Sequence, residues 1–241
     1  MKKLFALLLA AAMVLSMAAC GGSAAPAATE APATEAPVET EAAAAPVAVD
    51  SLSVCLSSEP DTLDPALNSA VDGATMVAHL FSGLAKWDQD ADGNTVIVAD
   101  CAEELVAGVV NEDGTVTYTY TLKDGLKWSD GQDLTADDFV FAWKRAASEE
   151  LGADYGYMFE VVAGYPNELA VEATDAKTLV VTLANAVAYW DELLAFPTYM
   201  PVREDVVADE AWATDPSTYI SNGAYTMTGW EHRWRCRWRD R

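Results

Sequence analysis

Asp88, Asp90 and Asp92 stand at alternate positions and run into Gly93, the opening half of a calcium-binding loop. Such a loop needs a bidentate Glu at its twelfth position. Ala99 stands there, and Asp100 is one residue out of register. The string therefore reads as an acidic hairpin turn, and a calcium-binding adhesion module is kept as a rival function. The other carboxylates nominate no acid–base pair. Asp137 with Asp138, and Glu103 with Glu104, are sequence neighbours, so each pair diverges on a helix or a strand. A surface carbohydrate-active enzyme is the second rival, but no spacing names its two carboxylates. His79 and His232 are the only histidines, and neither has a partner at metal-ligand spacing. The strings G-x-S-x-G, G-x-x-x-x-G-K and G-x-G-x-x-G are absent from the sequence. These residues imply no enzyme, no cofactor and no metal.

Charge narrows the partners. Between Asp50 and His232, 33 carboxylates against 7 Lys and Arg leave a net charge of −26. A surface so acidic repels nucleic acid and anionic headgroups, and it suits solubility in an exposed compartment. Eight Trp and nine Tyr in 241 residues fit either a packed core or an aromatic-lined cleft. Cys55 and Cys101 lie 46 residues apart. They are open to pairing outside the cytoplasm, and a buried thiol in the apolar strand around Cys55 fits equally well.

The elements that must position these residues mix strands and helices without strict alternation. Ser51–Ser58 alternates Leu52, Val54 and Leu56 against Ser, a strand pattern. Met76, Val77, Leu80, Phe81 and Leu84 stand at helical spacing, which predicts a helix ending near Gly83. Val116, Tyr118, Tyr120 and Leu122 alternate with Thr in a strand that turns at Lys123-Asp124-Gly125. Thr135 N-caps a helix with Asp137 and Asp138 in its first turn and Phe139, Ala142, Trp143 and Ala146 on one face. "KTLVVTL" is a strand with a two-sided apolar run, "DELLAF" a short helix stopped by Pro197, and Asn222-Gly223 a turn before a last strand. The class is mixed α+β, an α/β lobe with a mixed sheet.

The two ends differ from the body. Lys2 and Lys3, then apolar Leu4 to Val14, then Leu15-Ser16-Met17-Ala18-Ala19-Cys20, resemble a bacterial lipoprotein signal with Cys20 as the lipidated residue. The Ala, Pro, Thr and Glu tract that follows cannot build a core and reads as a disordered stalk. After Trp230 the composition breaks to "EHRWRCRWRDR", expected to be an unstructured tail from a truncated or frame-shifted gene end.

The strings "SSEPDTLDPALNS", "LFSGLAKWD", "YTLKDGLKWSDGQDLTADDFVFAWKRA", "TLVVTL", "LLAFPTYMPV" and "ISNGAYTMTGW" come in that order. Together they resemble the N-terminal half of the extracellular solute-binding proteins of peptide ABC importers, the oligopeptide-binding, OppA-like family. The resemblance covers Asp50 to Trp230. It implies a periplasmic-binding-protein-like type II lobe, incomplete here, in a hinged monomer that closes on an oligopeptide and delivers it to an ABC permease. It implies 1–19 as signal peptide, 20–49 as stalk, 50–81 and 203–230 as a partial first domain, and 82–202 as the second. Residues 231–241 are the aberrant tail, and a third domain would follow beyond residue 230. The protein is then extracytoplasmic and held to the membrane by lipid on Cys20. By the same resemblance Ser69, Ala70 and Val71 supply backbone contacts to the peptide. Tyr155 faces it, with Tyr157 a close rival. The W-S-D-G segment is scaffold, with Trp128 and Trp143 in the core. This chain alone is expected to bind peptide poorly.

Overall fold

The computed structural model describes residues 51–231 and the backbone of 235–240; Cys20, the signal and the stalk lie outside them. The described residues belong to one compact unit, Val47–Arg241. In chain order its elements are β1 (Leu52–Val54), α1 (Val71–Leu80), β2 (Ala85–Gln89), β3 (Thr95–Ala99), β4 (Val109–Val110), β5 (Val116–Thr121) and α2 (Ala136–Ala147). Then come β6 (Val171–Asp175), β7 (Thr178–Leu183), α3 (Trp190–Leu194), α4 (Glu204–Val207), β8 (Tyr225–Glu231) and β9 (Arg235–Asp240). Two 3-10 turns are added, Gly156–Val161 between α2 and β6 and Pro197–Tyr199 between α3 and α4. The strands form a sheet β4-β5-β7-β6, a hairpin β2-β3 and a sheet β1-β9-β8, and every pairing is antiparallel. This is the mixed α+β class the pattern predicts.

Helix α2 forms where its caps and periodicity require. Asp138 reaches back to the Thr135 backbone N–H at 2.9 Å and closes a capping box. Phe139, Ala142, Trp143 and Ala146 are all buried, with α2 laid on β6 and β7. Along β7, Leu179, Val181 and Leu183 point inward while the residues between are half-buried. The expected two-sided run is thus one buried face and one partly covered face. Full burial of a side chain such as Phe139 stabilises by about 1.5–3 kcal/mol.

Among the described residues, many of the aromatic side chains are core, while Trp87, Tyr157 and Tyr189 are exposed. Trp143, Trp190, Phe159, Tyr120 and Tyr199 pack in one cluster, with the Phe159 and Tyr199 rings stacked at 4.1 Å. Their polar atoms are matched inside it. Trp143 Nε1 donates to the Tyr199 carbonyl at 2.7 Å, Trp190 Nε1 to Tyr120 Oη at 2.9 Å, and Tyr199 Oη to the Met158 carbonyl at 2.8 Å. A second cluster stacks Trp212 on Tyr219 at 5.4 Å, with Phe81 edge-on to Trp128, Trp212 and Tyr219. Tryptophan and tyrosine enter a core at low cost only when the N–H and O–H find partners.

Several expectations change. Helix α1 stops at Leu80, because the Leu80 carbonyl accepts the Gly223 N–H at 2.7 Å and Phe81 is extended. Leu84 is buried, but outside the helix. Strand β3, "TVIVA", is set by its hairpin with β2 and carries no alternation of its own. Strand β1 is three residues long, and Cys55 lies beyond it and is exposed. Cys101 is buried, its thiol 3.5 Å from the Ser82 carbonyl, and the two sulfurs are not joined. The expectation of an unstructured tail fails as well. Arg235–Asp240 is a strand between β1 and β8, with Val54 opposite Cys236 and Trp230 opposite the same residue. Arg alternates with Trp and Cys across 233–238, and a period of two is the strand signature that the break in composition concealed.

Candidate functional site

The expected contact segments are built around the last turn of α2. From one side comes the loop Pro60–Ala70. It folds on Asp64, whose carbonyl accepts the N–H groups of Leu67 at 3.2 Å and Asn68 at 2.9 Å. The Asp64 carboxylate accepts the Ala66 N–H at 2.9 Å and both Nη groups of Arg145 at 3.2 and 2.7 Å. Tyr219 Oη donates to the Leu63 carbonyl at 2.8 Å. Burial, and then the nearby Asp64 charge, hold the Tyr219 phenol well above the usual tyrosine range, so it remains a donor. Leu63, Asp64 and Asn68 are buried, while Ser69 is exposed, Ala70 caps α1 and Val71 is 82% exposed.

Tyr155 comes from the other side. It precedes the 3-10 turn that starts at Gly156, half-buried, its ring edge-on to Phe196 at 5.1 Å and 6.3 Å from that of Tyr157. Gly156 presses on α2: a Cβ there would sit 2.8 Å from the Ala146 carbonyl oxygen. Arg145 and Ala146 are adjacent, so one helical turn holds both segments. Among the described residues, no hydrogen bond or ring contact joins Tyr155 directly to Ser69, Ala70 or Val71. Tyr157 is the more exposed rival at 54%.

A broad depression lies elsewhere. It has a volume of about 860 Å³ and is lined by His79, Lys86, Trp87, Asp100, Lys127 and Tyr225 among others, and by none of the four expected residues. Lys86 pairs with Asp100 there at a long 3.7 Å, with half of the Lys86 side chain in solvent, so the pair contributes little.

The calcium-like string is a hairpin turn. The Asp90 carboxylate accepts the N–H groups of Asp92 and Asn94 and the Asn94 side-chain amide at 2.8–2.9 Å, and Gly93 takes φ +81°. Hydrogen bonds from Asn94 first, then those from Asp92 and Gly93, lower the Asp90 pKa. This carboxylate is already engaged by the turn it makes. Of the adjacent pair on α2, Asp138 points inward to the Trp128 indole N–H at 3.3 Å while Asp137 is exposed. The two do diverge. The Asp64–Arg145 pair and the Tyr219 bond were beyond sequence reasoning, since nothing in the spacing of residues 81 apart brings them together.

The family model described as bacterial extracellular solute-binding proteins, family 5 Middle, matches residues 96–239. Oligopeptide-binding protein OppA of Bacillus subtilis (strain 168) is 35% identical over 196 residues, covering 76% of this chain and 34% of that protein. The probable deoxycholate-binding periplasmic protein YgiS of Escherichia coli (strain K12) is 36% identical over 186 residues, 72% of this chain and 33% of that protein. Among solved structures, the substrate-binding domain of an oligopeptide ABC transporter from Bacillus anthracis str. Ames aligns with TM-score 0.65 and 30% identity, over 74% of this chain and 36% of that one. Listeria monocytogenes OppA bound to peptide aligns with TM-score 0.62 and 31% identity, over 72% and 35%. The chain spans about a third of the length of the relatives it matches.

Proposed function

Because the chain belongs to the bacterial extracellular solute-binding proteins of family 5, we propose that it is the part of a peptide importer's binding component that carries one lip of the cleft. Ser69, Ala70 and Val71 offer main-chain groups to an extended peptide, and Tyr155 offers a ring face. The carrying observation is Val71, an apolar residue 82% exposed at the start of a helix whose Gly73, Met76, Val77 and Leu80 are seated on the core. An apolar side chain held in water on a rigid base suits a surface covered only when ligand and the opposing lobe are present. Main-chain recognition tolerates varied side chains, which suits a carrier of many peptides.

The anchored reading accompanies this one. Lipid on Cys20 and a stalk would hold the protein outside the cytoplasmic membrane, beside an ABC permease, as a monomer. Residues 50–81 with 203–230 would form part of one domain and 82–202 a second. Their junction is bonded by Ser129 N–H to the Ser221 carbonyl at 2.8 Å and by Arg203 to Asp130 at 2.6 Å. Relatives named for oligopeptides and for deoxycholate share this region at 35% and 36% identity. That supports shared scaffold here, with the choice of ligand made outside these residues.

The test is a peptide titration of the nitrogen-15-labelled 241-residue chain, followed by amide chemical shifts. A mixed tripeptide and tetrapeptide pool is expected to bind with a Kd of about 1 mM or weaker, because one lip leaves half the ligand in water. The shifts should fall on Ser69–Asp72 and Tyr155–Tyr157. Shifts confined to Trp87, Lys127 and Asn222, in the 860 Å³ depression, would overturn the assignment. Micromolar affinity would overturn the one-lip reading.

A further inference from the structure

The Asp64–Arg145 pair sits between the two proposed contact segments, bonded to the Ala66 N–H on the loop side and making no direct bond to Ser69, Ala70, Val71 or Tyr155. Its side chains are 3% and 16% exposed, and the contact is bidentate. A buried ion pair is a weak source of stability, since desolvation of both charges offsets their attraction. What such a pair does supply is fixed geometry, because the planar guanidinium fork meets a carboxylate in one orientation.

The wiring on both sides is short. Asp64 is the hub of the 63–68 turn: its carboxylate holds the Ala66 N–H, and its carbonyl holds those of Leu67 and Asn68, which lead into α1. The fit between loop and helix is close there, as a Cβ on Gly73 would lie 2.0 Å from Asn68 Oδ1. On the far side, Arg145 lies in the last turn of α2, where a cation also complements the helix dipole. The next residue, Ala146, abuts Gly156, and the Met158 N–H bonds the Tyr155 carbonyl at 3.0 Å.

We propose that the Asp64–Arg145 pair is a positioning device that couples the 66–71 loop to the Tyr155 turn through the end of α2, keeping the two halves of the lip in one geometry. The proposal rests on the peptide-lip reading above for its purpose, but its test contains no peptide.

The test is amide hydrogen exchange on the full chain for Asp64→Asn, Arg145→Met and the double variant. Asp64→Asn is expected to speed exchange at Leu67 and Asn68 and, across the pair, at Gly156 and Met158, each by about tenfold or more. The amides of the β5–β7 ladder should stay at their wild-type rates. Arg145→Met should do the same from the other end. The double variant, which leaves no unpaired buried charge, should keep the two segments loosened and uncoupled. If Arg145→Met does not fold, Arg145→Lys keeps the charge and the stem, and should give a smaller acceleration at both segments together. An Asp64→Asn variant that loosens only Leu67 and Asn68 would reduce the pair to a loop anchor and overturn the proposal. An absence of peptide-induced shifts in the wild-type chain would instead sink the lip reading and leave the measured coupling in place.

Discussion

Gly73 is the third residue of α1, a position where glycine is ordinarily a liability. Replacing a helix-interior glycine by alanine stabilises by about 1 kcal/mol through backbone entropy alone. Here the structure reverses the sign. An added Cβ would lie 2.0 Å from Asn68 Oδ1, 2.8 Å from Asn68 Cγ and 2.9 Å from the Thr62 carbonyl oxygen. The Asn68 carboxamide is buried. The Thr62 carbonyl belongs to a loop held one residue later by Tyr219 and two residues later by Arg145. Neither group withdraws freely. Overpacking costs about 1–3 kcal/mol, and an overlap this deep belongs at the upper end, near 3 kcal/mol. Against the propensity gain, Gly73→Ala should destabilise by about 2 kcal/mol, or lower Tm by about 4–8 °C for a chain of this size. Thermal unfolding followed by near-ultraviolet circular dichroism measures it. The double variant Asn68→Ala with Gly73→Ala removes two of the three overlaps, and a coupling of about 1 kcal/mol or more should appear in the cycle. An unchanged or raised Tm in Gly73→Ala would refute the close fit between the 62–68 loop and α1.

Two further outcomes follow from the core and from the charges. Trp143→Phe removes the indole N–H that satisfies the Tyr199 carbonyl at 2.7 Å and leaves a void among Phe159, Trp190 and Tyr199. The cost should be about 2–4 kcal/mol, seen as a lower urea midpoint at unchanged m-value. Arg203 donates to Asp130 at 2.6 Å and to Asp205 at 2.5 and 2.8 Å. At Asp130, desolvation raises the carboxyl pKa, but the Arg203 bond and charge with the Gln132 N–H outweigh it. At Asp205 the Arg203 bond leads, and both carboxyls lie below the usual range. Stability from depressed carboxylates is full above the unfolded value of about 4 and is lost as pH falls through the folded values. Tm should therefore drop below about pH 4, and Arg203→Met should flatten that limb. Asp138, pushed up chiefly by burial, works in the opposite sense, since its protonation relieves a buried charge. A limb as steep in Arg203→Met as in the wild type would remove Arg203 from the account.

Local chemistry was legible in the sequence wherever neighbours along the chain decide it. Thr135 took the N-cap position of its helix, Phe139, Ala142, Trp143 and Ala146 went inward, and the acidic string made a hairpin turn at Asp90 to Gly93. Each outcome rests on contacts within about one helical turn or one hairpin. The ordered strings also named the family, because a scaffold of turns and capped helices repeats its local solutions in order. Other features belong to tertiary structure. The sequence held Asp64, Arg145 and Tyr219 in three separate segments, and only tertiary packing brings them to one loop. The Gly223 N–H ends α1 at Leu80 from 143 residues away. The Arg-Trp tail carried a period of two, yet it is a strand because β1 and β8 leave a ladder between them to be filled. A sequence shows which backbone groups and charges need partners. Which distant group supplies them depends on how helices and sheets stack, because burial makes an unmatched group costly and selects the arrangement that matches it.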